Sequence, residues 1–376
     1  MKKDNSKIIG KLIVYGCFVI VLSISIFFSS WFEVLLMLKP DFDKVSSDSF
    51  QVHFLDVGDG DAILVRFSTG KTMIVDSGTP DSKSKVMSYI DNVFFANSRE
   101  KVFDFAVLTH SDIDHCGNML EILNTYKVNT FIRPQIYAGG LESGVAGGMS
   151  FFETNNTYAQ IIAKLASLSK SGLTKVEFAS FDTYYFTGIK SGIHLLSPVK
   201  NYYTSTNEYS PIMMVYDNET KVMLTGDATI DNELEVINNY DSDELDADIL
   251  KLGHHGSNTS TSLEFLNAVN PKYAVVSANK KNDNHPNPVV LENIMEYNNH
   301  SQNDIELKQT SSLGNIIFYT NDGENIEMLN IANVDDYLFL SWWVVVLSFA
   351  VIVGISMFST DFVALIFSRH KTAVKY

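Results

Sequence analysis

The segment Thr109–His115 concentrates groups that can bind metal ions, because two histidines and two aspartates fall within six residues: His110, Asp112, Asp114 and His115. It follows an apolar run, Phe105–Leu108, that we predict to be a buried strand, and it should open a helix. Imidazole and carboxylate groups are ligands of divalent metals, and a strand-to-helix turn can direct several of them at one point. The alternative is a solvated turn in which Asp114 only accepts hydrogen bonds from helix amides.

Further groups of the same kind occur later in the chain, each just after a strand-like run. Asp227 follows the run Lys221–Leu224, and His254 and His255 follow the run Asp248–Leu252. A solvated turn predicts no such partners, whereas sites in α/β proteins are often assembled from side chains at the ends of separate strands. We therefore predict a metal site that combines these residues with the earlier cluster.

The chain between residues 40 and 336 alternates short apolar runs with segments of helical periodicity. Runs such as Val52–Val57 and Met73–Asp76 are separated by Gly, Asp and Ser, and they predict buried strands joined by tight turns. Helical periodicity is clear in segments such as Tyr158–Leu168 and Val289–Tyr297. This alternation predicts a layered α/β domain with sheets inside and helices outside.

A series of ordered motifs resembles the metallo-β-lactamase fold hydrolases, and within them the hydrolase domain of the ComEC/Rec2-type competence proteins. The resemblance covers residues 50–330 and rests on these segments: Phe54–Leu64, Ile74–Gly78, His110–His115, Asn207–Ser210, Thr225–Asp227, His254–Ser257 and His285–Pro286. It implies an αββα sandwich. The chain departs from the family pattern at Asp59, where Gln is usual, and at the third metal motif, which has no histidine. The competence branch is similar to this chain in having Asp112 where the generic pattern has histidine.

The resemblance also implies two metal ions and the groups that would hold them. His110 and Asp112 would belong to one ion, Asp114 and His115 to the other, and Asp227 would bridge them. Asp114 counts among the expected catalytic residues as well.

Two adjacent histidines and a late loop histidine would complete the active site. We favour His254 as the remaining ligand of the second ion and His255 as a contact to the substrate oxyanion, although the spacing leaves that choice open. His285 would donate to the developing oxyanion or the leaving group; the alternative is a loop histidine that only caps a helix. The expected substrate contacts are Asn207, Ser210 and Ser257.

The two divalent ions are expected to be zinc or manganese, since Asp112 adds a hard oxygen ligand. Two cations about 3.5–4 Å apart can lower the pKa of a bridging water and stabilise the attacked and leaving oxygens. The expected activity is therefore hydrolysis by a metal-bridging hydroxide. Asp56 and Asp76 would orient the ligand histidines.

Three classes of function remain open for such a site. A carboxylate-rich dinuclear centre favours a phosphodiesterase or phosphoesterase. The same fold also hydrolyses acyl compounds such as lactones. The third possibility is a tethered metal-binding module without turnover.

The charge of the region between the apolar runs bears on the substrate. Residues 40–336 carry 20 basic against 41 acidic residues, and the negative electrostatic field of this excess repels nucleic acid. Specific nucleic acid binding is disfavoured, but DNA cleavage is not excluded. A cell-wall phosphodiester or a small soluble phosphodiester is at least as compatible with this negative charge as DNA is. The sequence leaves the oligomeric state open.

Two apolar runs flank this region and are long enough to cross a bilayer. Residues 12–32 are 21 positions without a formal charge, and residues 337–360 are 24 such positions. We predict transmembrane helices over residues 12–37 and 337–368. The alternatives are a cleaved signal peptide for the first and a buried core helix for the second.

The charges beside these runs predict the topology. Basic residues precede the first run and follow the second, so residues 1–11 and 369–376 are predicted to be cytoplasmic. The hydrolase domain, residues 40–336, would then lie outside the cell membrane, tethered to the lipid bilayer at both ends.

Reporter fusions test this topology. A phosphatase reporter that is active only outside the cytoplasm should be active when fused after residue 300 and inactive when fused at the C-terminus, because the second predicted span separates the two positions. The reverse pattern would place the hydrolase domain in the cytoplasm and remove cell-wall substrates from consideration.

Overall fold

The computed structural model describes residues 44–331, apart from residues 47, 97, 138–155, 280–283 and 302, together with Gly16. Both predicted membrane spans and both predicted cytoplasmic tails lie outside the described residues, with Gly16 as the exception. Among the described residues, no helix has the length and apolar character needed to cross a membrane. Residues Asp41–Ile331 group into one compact unit.

Two mixed β-sheets form the centre of this unit. Their strands are β1 (Phe50–Phe54), β2 (Ile63–Arg66), β3 (Thr72–Val75), β4 (Val102–Val107), β5 (Lys127–Arg133), β6 (Lys175–Phe178), β7 (Thr183–Phe186), β8 (Ser191–Leu195), β9 (Met213–Asp217), β10 (Thr220–Leu224), β11 (Ile249–Lys251), β12 (Tyr273–Val276), β13 (Glu306–Gln309), β14 (Asn315–Thr320) and β15 (Glu327–Ile331). The first sheet has eight strands in the order β15-β14-β1-β2-β3-β4-β5-β6, and the second has seven in the order β13-β12-β11-β10-β9-β8-β7.

Helices lie against the sheets or connect their strands. They are α1 (Lys83–Tyr89), α2 (Ile113–Cys116), α3 (Met119–Thr125), α4 (Asn156–Lys170), α5 (Ile230–Asn239), α6 (Ser242–Leu245), α7 (Leu263–Val269), α8 (Pro288–His300) and α9 (Thr310–Leu313), with a π-helical turn at Ile90–Phe94 and 3-10 turns at Pro80–Ser82, Asn207–Tyr209 and Gly253–Gly256. Strands and helices alternate along much of the chain, as the sequence periodicity predicts.

Three hydrophobic clusters hold four layers together. One cluster fills the space between the two sheets and includes Phe54, Val65, Leu195, Val222 and Phe318. A second packs the first sheet against its helices, and its members include Leu64, Phe103, Leu123 and Tyr158. A third does the same for the second sheet and includes Met223, Phe265 and Val290. The predicted αββα sandwich is therefore confirmed for the described residues.

The strand directions decide where side chains can meet. In the first sheet β3 and β4 are parallel, and in the second sheet β10 and β11 are parallel. Parallel neighbours end at the same edge of a sheet, where α/β proteins commonly bind ligands. Asp76 and His110 follow β3 and β4, and Asp227 and His254 follow β10 and β11. These two edges face each other across the sandwich, so residues far apart in sequence converge.

Candidate metal centre

The carboxylate of Asp227 lies at the centre of four histidines. Its Oδ1 is 3.2 Å from Nε2 of His115 and 3.6 Å from Nε2 of His255. Its Oδ2 is 3.7 Å from Nε2 of His110 and 3.7 Å from Nε2 of His254. The two carboxylate oxygens therefore divide the histidines into two pairs.

Each pair of histidines has an aspartate of its own. Oδ2 of Asp112 is 3.8 Å from Nε2 of His110. Oδ2 of Asp114 is 3.8 Å from Nε2 of His115 and 3.5 Å from Nε2 of His255. We name the two groups the first subsite, formed by His110, Asp112, His254 and Asp227, and the second subsite, formed by Asp114, His115, His255 and Asp227.

All four imidazoles turn Nε2 towards Asp227, because Nδ1 of each ring contacts another polar group. Every Nδ1 has a polar neighbour: Thr109 Oγ1 at 3.0 Å and Ser210 Oγ at 3.3 Å for His110, Asp76 Oδ2 at 2.8 Å for His115, Thr259 Oγ1 at 2.9 Å for His254, and the Ser277 carbonyl at 3.0 Å for His255. A carboxylate or carbonyl on Nδ1 fixes the ring tautomer and leaves Nε2 as the ligand atom. Asp76 therefore fixes the orientation of the His115 ring.

The donor set fits divalent metal ions. Metal–ligand bonds of about 2.0–2.2 Å at tetrahedral or octahedral angles require ligand atoms roughly 3.0–3.5 Å apart. The second subsite shows such spacing, since His115 Nε2 and His255 Nε2 are 3.1 Å apart. Among the described residues, His110 Nε2 and Asp227 Oδ1 are buried without a hydrogen bond, which is costly unless another partner is bound. Both atoms face the subsites, so a cation there would satisfy them.

A strained turn separates the two adjacent histidines. His254 and His255 both have left-handed backbone conformations, with φ of 45° and 53°. This conformation costs a non-glycine residue about 1–2 kcal/mol. It is stabilised by hydrogen bonds from the His254 amide to the Gly226 carbonyl at 3.1 Å and from the Ser257 amide to the His254 carbonyl at 2.8 Å. The two rings thereby diverge, with centroids 6.2 Å apart, and each reaches a different oxygen of Asp227.

This turn corrects one expectation from the sequence. We expected His254 to complete the site of Asp114 and His115, with His255 turned to substrate. The structure instead places His255 beside those two residues, whereas His254 faces the Asp227 oxygen that His110 also faces.

The charged groups of the centre shift one another's pKa values. Burial lowers the pKa of His115, but the carboxylates of Asp227 and Asp76 outweigh burial and raise that pKa well above its usual value. Burial raises the pKa of Asp227, yet His115 and His255 outweigh it and hold the pKa well below its usual value. A metal ion binds only the unprotonated ring nitrogen, so metal affinity at this group should fall as the solution becomes more acidic.

The three predicted substrate contacts lie around the first subsite. Nδ2 of Asn207 is 3.4 Å from Nε2 of His254, and the residue is partly exposed. Ser210 is fully buried, and its Oγ accepts from the Asp227 amide at 3.2 Å. Ser257 is also buried, and the hydroxyl of Thr259 donates to it at 3.1 Å. Asn207 is therefore accessible from solvent, whereas Ser210 contacts His110 and the Asp227 amide, and Ser257 contacts Thr259, the neighbour of His254.

His285 lies at the rim of the first subsite. Its ring centroid is 6.4 Å from that of His254, and the residue is partly exposed. Its loop is held in place because the Asn287 amide donates to the Gly256 carbonyl at 2.8 Å. The side chain of Asn287 then caps α8 by accepting from the Val289 amide at 3.1 Å. The helix cap is thus Asn287 and not His285.

Sequence reasoning missed Asp61. A ligand atom of Asp61 lies within 4.8 Å of ligand atoms of His115, Asp227 and His255. We assigned it no role, although its turn was among the motifs of the resemblance. Two carboxylates alternating with two glycines directly after a buried strand are a signal that could have identified it.

The sequence matches a family model over the part of the chain that carries these residues. The model describes the metallo-beta-lactamase superfamily and matches residues 55–278, which is more than half of the chain. The chain belongs to the metallo-beta-lactamase superfamily. As a superfamily member it is, in general terms, a metal-dependent hydrolase.

Curated relatives are competence proteins of the ComEC/Rec2 type. The chain is 27% identical over 259 residues to ComE operon protein 3 of Bacillus subtilis, covering 65% of this chain and 30% of that protein. It is 27% identical over 265 residues to Recombination protein 2 of Haemophilus influenzae, covering 70% and 28%. The chain thus matches less than a third of the length of these relatives. Among solved structures, a metallo hydrolase from Ignicoccus hospitalis is 14% identical with a TM-score of 0.42, covering 75% of this chain and 100% of that one.

The division into subsites predicts how histidine substitutions combine. His110→Ala and His254→Ala should each weaken the same metal ion, so the double variant should lose little beyond either single variant. His110→Ala with His255→Ala should weaken both ions, because these residues belong to different subsites. Titration of the metal-free protein with Mn²⁺ or Zn²⁺ measures the two affinities.

The control for this cycle is His300→Ala, at the exposed end of α8, which should bind both ions as the unchanged protein does. Two double variants decide whether the assignment is wrong. It would be overturned if His254→Ala with His115→Ala lost no more metal affinity than either single variant, while His254→Ala with His110→Ala weakened both ions.

Proposed function

We propose that this protein hydrolyses phosphodiester bonds with two divalent metal ions, held by the first and second subsites. The proposal is supported chiefly by the two oxygens of Asp227, each shared with a different pair of histidines. Together with Asp112 and Asp114 they give the centre three carboxylates and four imidazoles. Bound side by side, two such ions would activate water and stabilise the attacking and leaving oxygens of an in-line displacement at phosphorus.

The protein's own residues would bind and orient the substrate from the open side. Asp112 and Asp114 face that side, with side chains 46% and 32% exposed, whereas His110 and His115 are fully buried. Asn207 and His285 stand beside the exposed edge of His254. An amide N–H and an imidazole N–H at this rim can donate to non-bridging phosphate oxygens or to the departing alkoxide.

The charge of the chain favours some phosphodiesters over others. The excess of acidic residues between positions 40 and 336 opposes the approach of a long polyanion such as DNA. A small soluble phosphodiester, or a cell-wall phosphodiester reached by a domain tethered outside the membrane, meets less repulsion. We therefore favour these over DNA as substrates, with zinc or manganese as the metal.

A panel of substrates tests the reaction class. Purified full-length protein loaded with Zn²⁺ or Mn²⁺ should hydrolyse bis-nitrophenyl phosphate and a phosphocholine ester faster than linear DNA, and a chromogenic cephalosporin slowly or not at all. Asp227→Asn is the matched control, because it removes the charge shared by both subsites. Turnover of the cephalosporin alone would assign acyl hydrolysis, and no turnover of any substrate by the metal-loaded protein would assign a binding module.

The role of His285 has its own prediction. If its imidazole stabilises charge that develops only in the transition state, His285→Ala should lower kcat by on the order of 10²–10³-fold with little change in KM. The number of bound metal ions should not change, since His285 belongs to neither subsite. Steady-state kinetics and elemental analysis on the same preparation separate the two effects.

His300→Ala serves again as the control. His285 lies in the loop before α8, whereas His300 lies at the exposed C-terminal end of that helix, away from the metal centre. Undiminished turnover by His285→Ala would leave His285 as a structural loop residue.

A further inference from the structure

Asp61 is a buried carboxylate that the subsites defined above do not use. It is 1% exposed, and its Oδ1 has no hydrogen-bond partner within the described residues. One of its ligand atoms lies within 4.8 Å of ligand atoms of His115, Asp227 and His255, which are three members of the second subsite. A buried carboxylate oxygen without a partner is costly unless a further group or a cation contacts it.

The turn that carries Asp61 is packed directly against the second subsite. A Cβ atom on Gly60 would lie 2.4 Å from the carbonyl oxygen of Asp114, so only glycine permits this approach. The carbonyl of Asp61 accepts from the Gly78 amide at 2.7 Å, and the Leu55 amide donates to the Ala62 carbonyl at 3.0 Å. The turn is therefore fixed on both sides, and the carboxylate of Asp61 cannot easily move away from the histidines.

Lys251 compensates part of the charge of Asp61. This lysine is fully buried at the end of β11, and its Nζ is 2.9 Å from Oδ2 of Asp61. Nζ also donates to the Leu252 carbonyl at 2.9 Å, and its contact with Asp61 is to Oδ2 alone, so Oδ1 keeps no partner among the described residues. An ammonium held in this way neutralises Asp61 without saturating its oxygens, and a carboxylate has lone pairs enough for a second cation.

We propose that Asp61 is a further carboxylate ligand of the metal ion in the second subsite, with Lys251 as the fixed counter-ion that keeps it directed there. The proposal rests on the metal centre of the proposed function and specifies its composition. The second subsite then offers three carboxylates and two imidazoles, namely Asp61, Asp114, Asp227, His115 and His255.

The two subsites consequently differ in the metal that they prefer. The first subsite offers two imidazoles and two carboxylates, a set of four that suits tetrahedral zinc. The second offers five ligands, three of them carboxylates, and a higher coordination number with oxygen ligands suits manganese. The protein should bind Mn²⁺ more tightly at the second subsite than at the first.

The test removes Asp61 as a ligand while keeping its shape. Metal-free full-length protein is titrated with Mn²⁺, and bound and free ions are separated by electron paramagnetic resonance and elemental analysis. Asp61→Asn should keep one ion and bind the other with an affinity about 10-fold lower or worse. Asp59→Asn is the matched control, since Asp59 lies in the same turn but accepts its hydrogen bond from the Asn279 amide at 2.8 Å.

A double variant separates a ligand from a structural ion pair. Asp61→Leu with Lys251→Met replaces both buried charges by apolar groups, an exchange that is often neutral for folding. Its melting temperature should be close to that of the unchanged protein, whereas its second Mn²⁺ should remain weakly bound. Lys251→Met alone should lower the melting temperature and retain two ions.

Three results would overturn the proposal. If Asp61→Asn binds two Mn²⁺ ions with unchanged affinities, Asp61 is only the partner of Lys251 and not a metal ligand. Unchanged affinities in the folded double variant would likewise exclude Asp61 as a ligand. If the unchanged protein binds no ions, the metal centre itself is wrong, and the proposed function fails together with this inference.

Discussion

The carboxylate of Asp227 is the group on which the whole centre depends. It is buried, its charge is shared by four imidazoles, and each oxygen faces a different pair of them. A carboxylate whose two oxygens face different groups of ligands can join two cation sites. Ser210 contributes to that presentation, because its hydroxyl contacts both His110 and the Asp227 amide. The rest of the site is arranged around this constraint.

Backbone strain is the means by which two adjacent histidines serve different subsites. In regular strand or helix geometry, neighbouring side chains point away from each other and cannot converge on one carboxylate. Consecutive left-handed residues between Gly253 and Gly256 allow both imidazoles of the turn to reach Asp227. The cost of this conformation is offset by the hydrogen bonds on both sides of the turn.

The centre also connects the two sheets. Asp61 enters from the turn after β1 in the first sheet, and Lys251 enters from β11 in the second. Asp227 and His255 come from the second sheet, whereas His110 and His115 follow β4 of the first. A cation that binds these groups holds the two halves of the sandwich together, so metal binding and the stability of the fold should be coupled.

The sequence by itself determined the layers of the fold and most of the chemistry. Hydrophobic periodicity located the strands and helices, because burial on one or both faces leaves a pattern in neighbouring residues. The cluster from His110 to His115 and the later Asp227 were identifiable, since residues placed after strands converge at a sheet edge. Only the tertiary structure decided which of His254 and His255 serves which subsite, because that depends on two backbone angles that composition does not encode. It also decided that Ser210 is buried against His110 and Asp227 and that Asp61 meets Lys251, since burial and contacts between distant segments arise only when the two sheets pack.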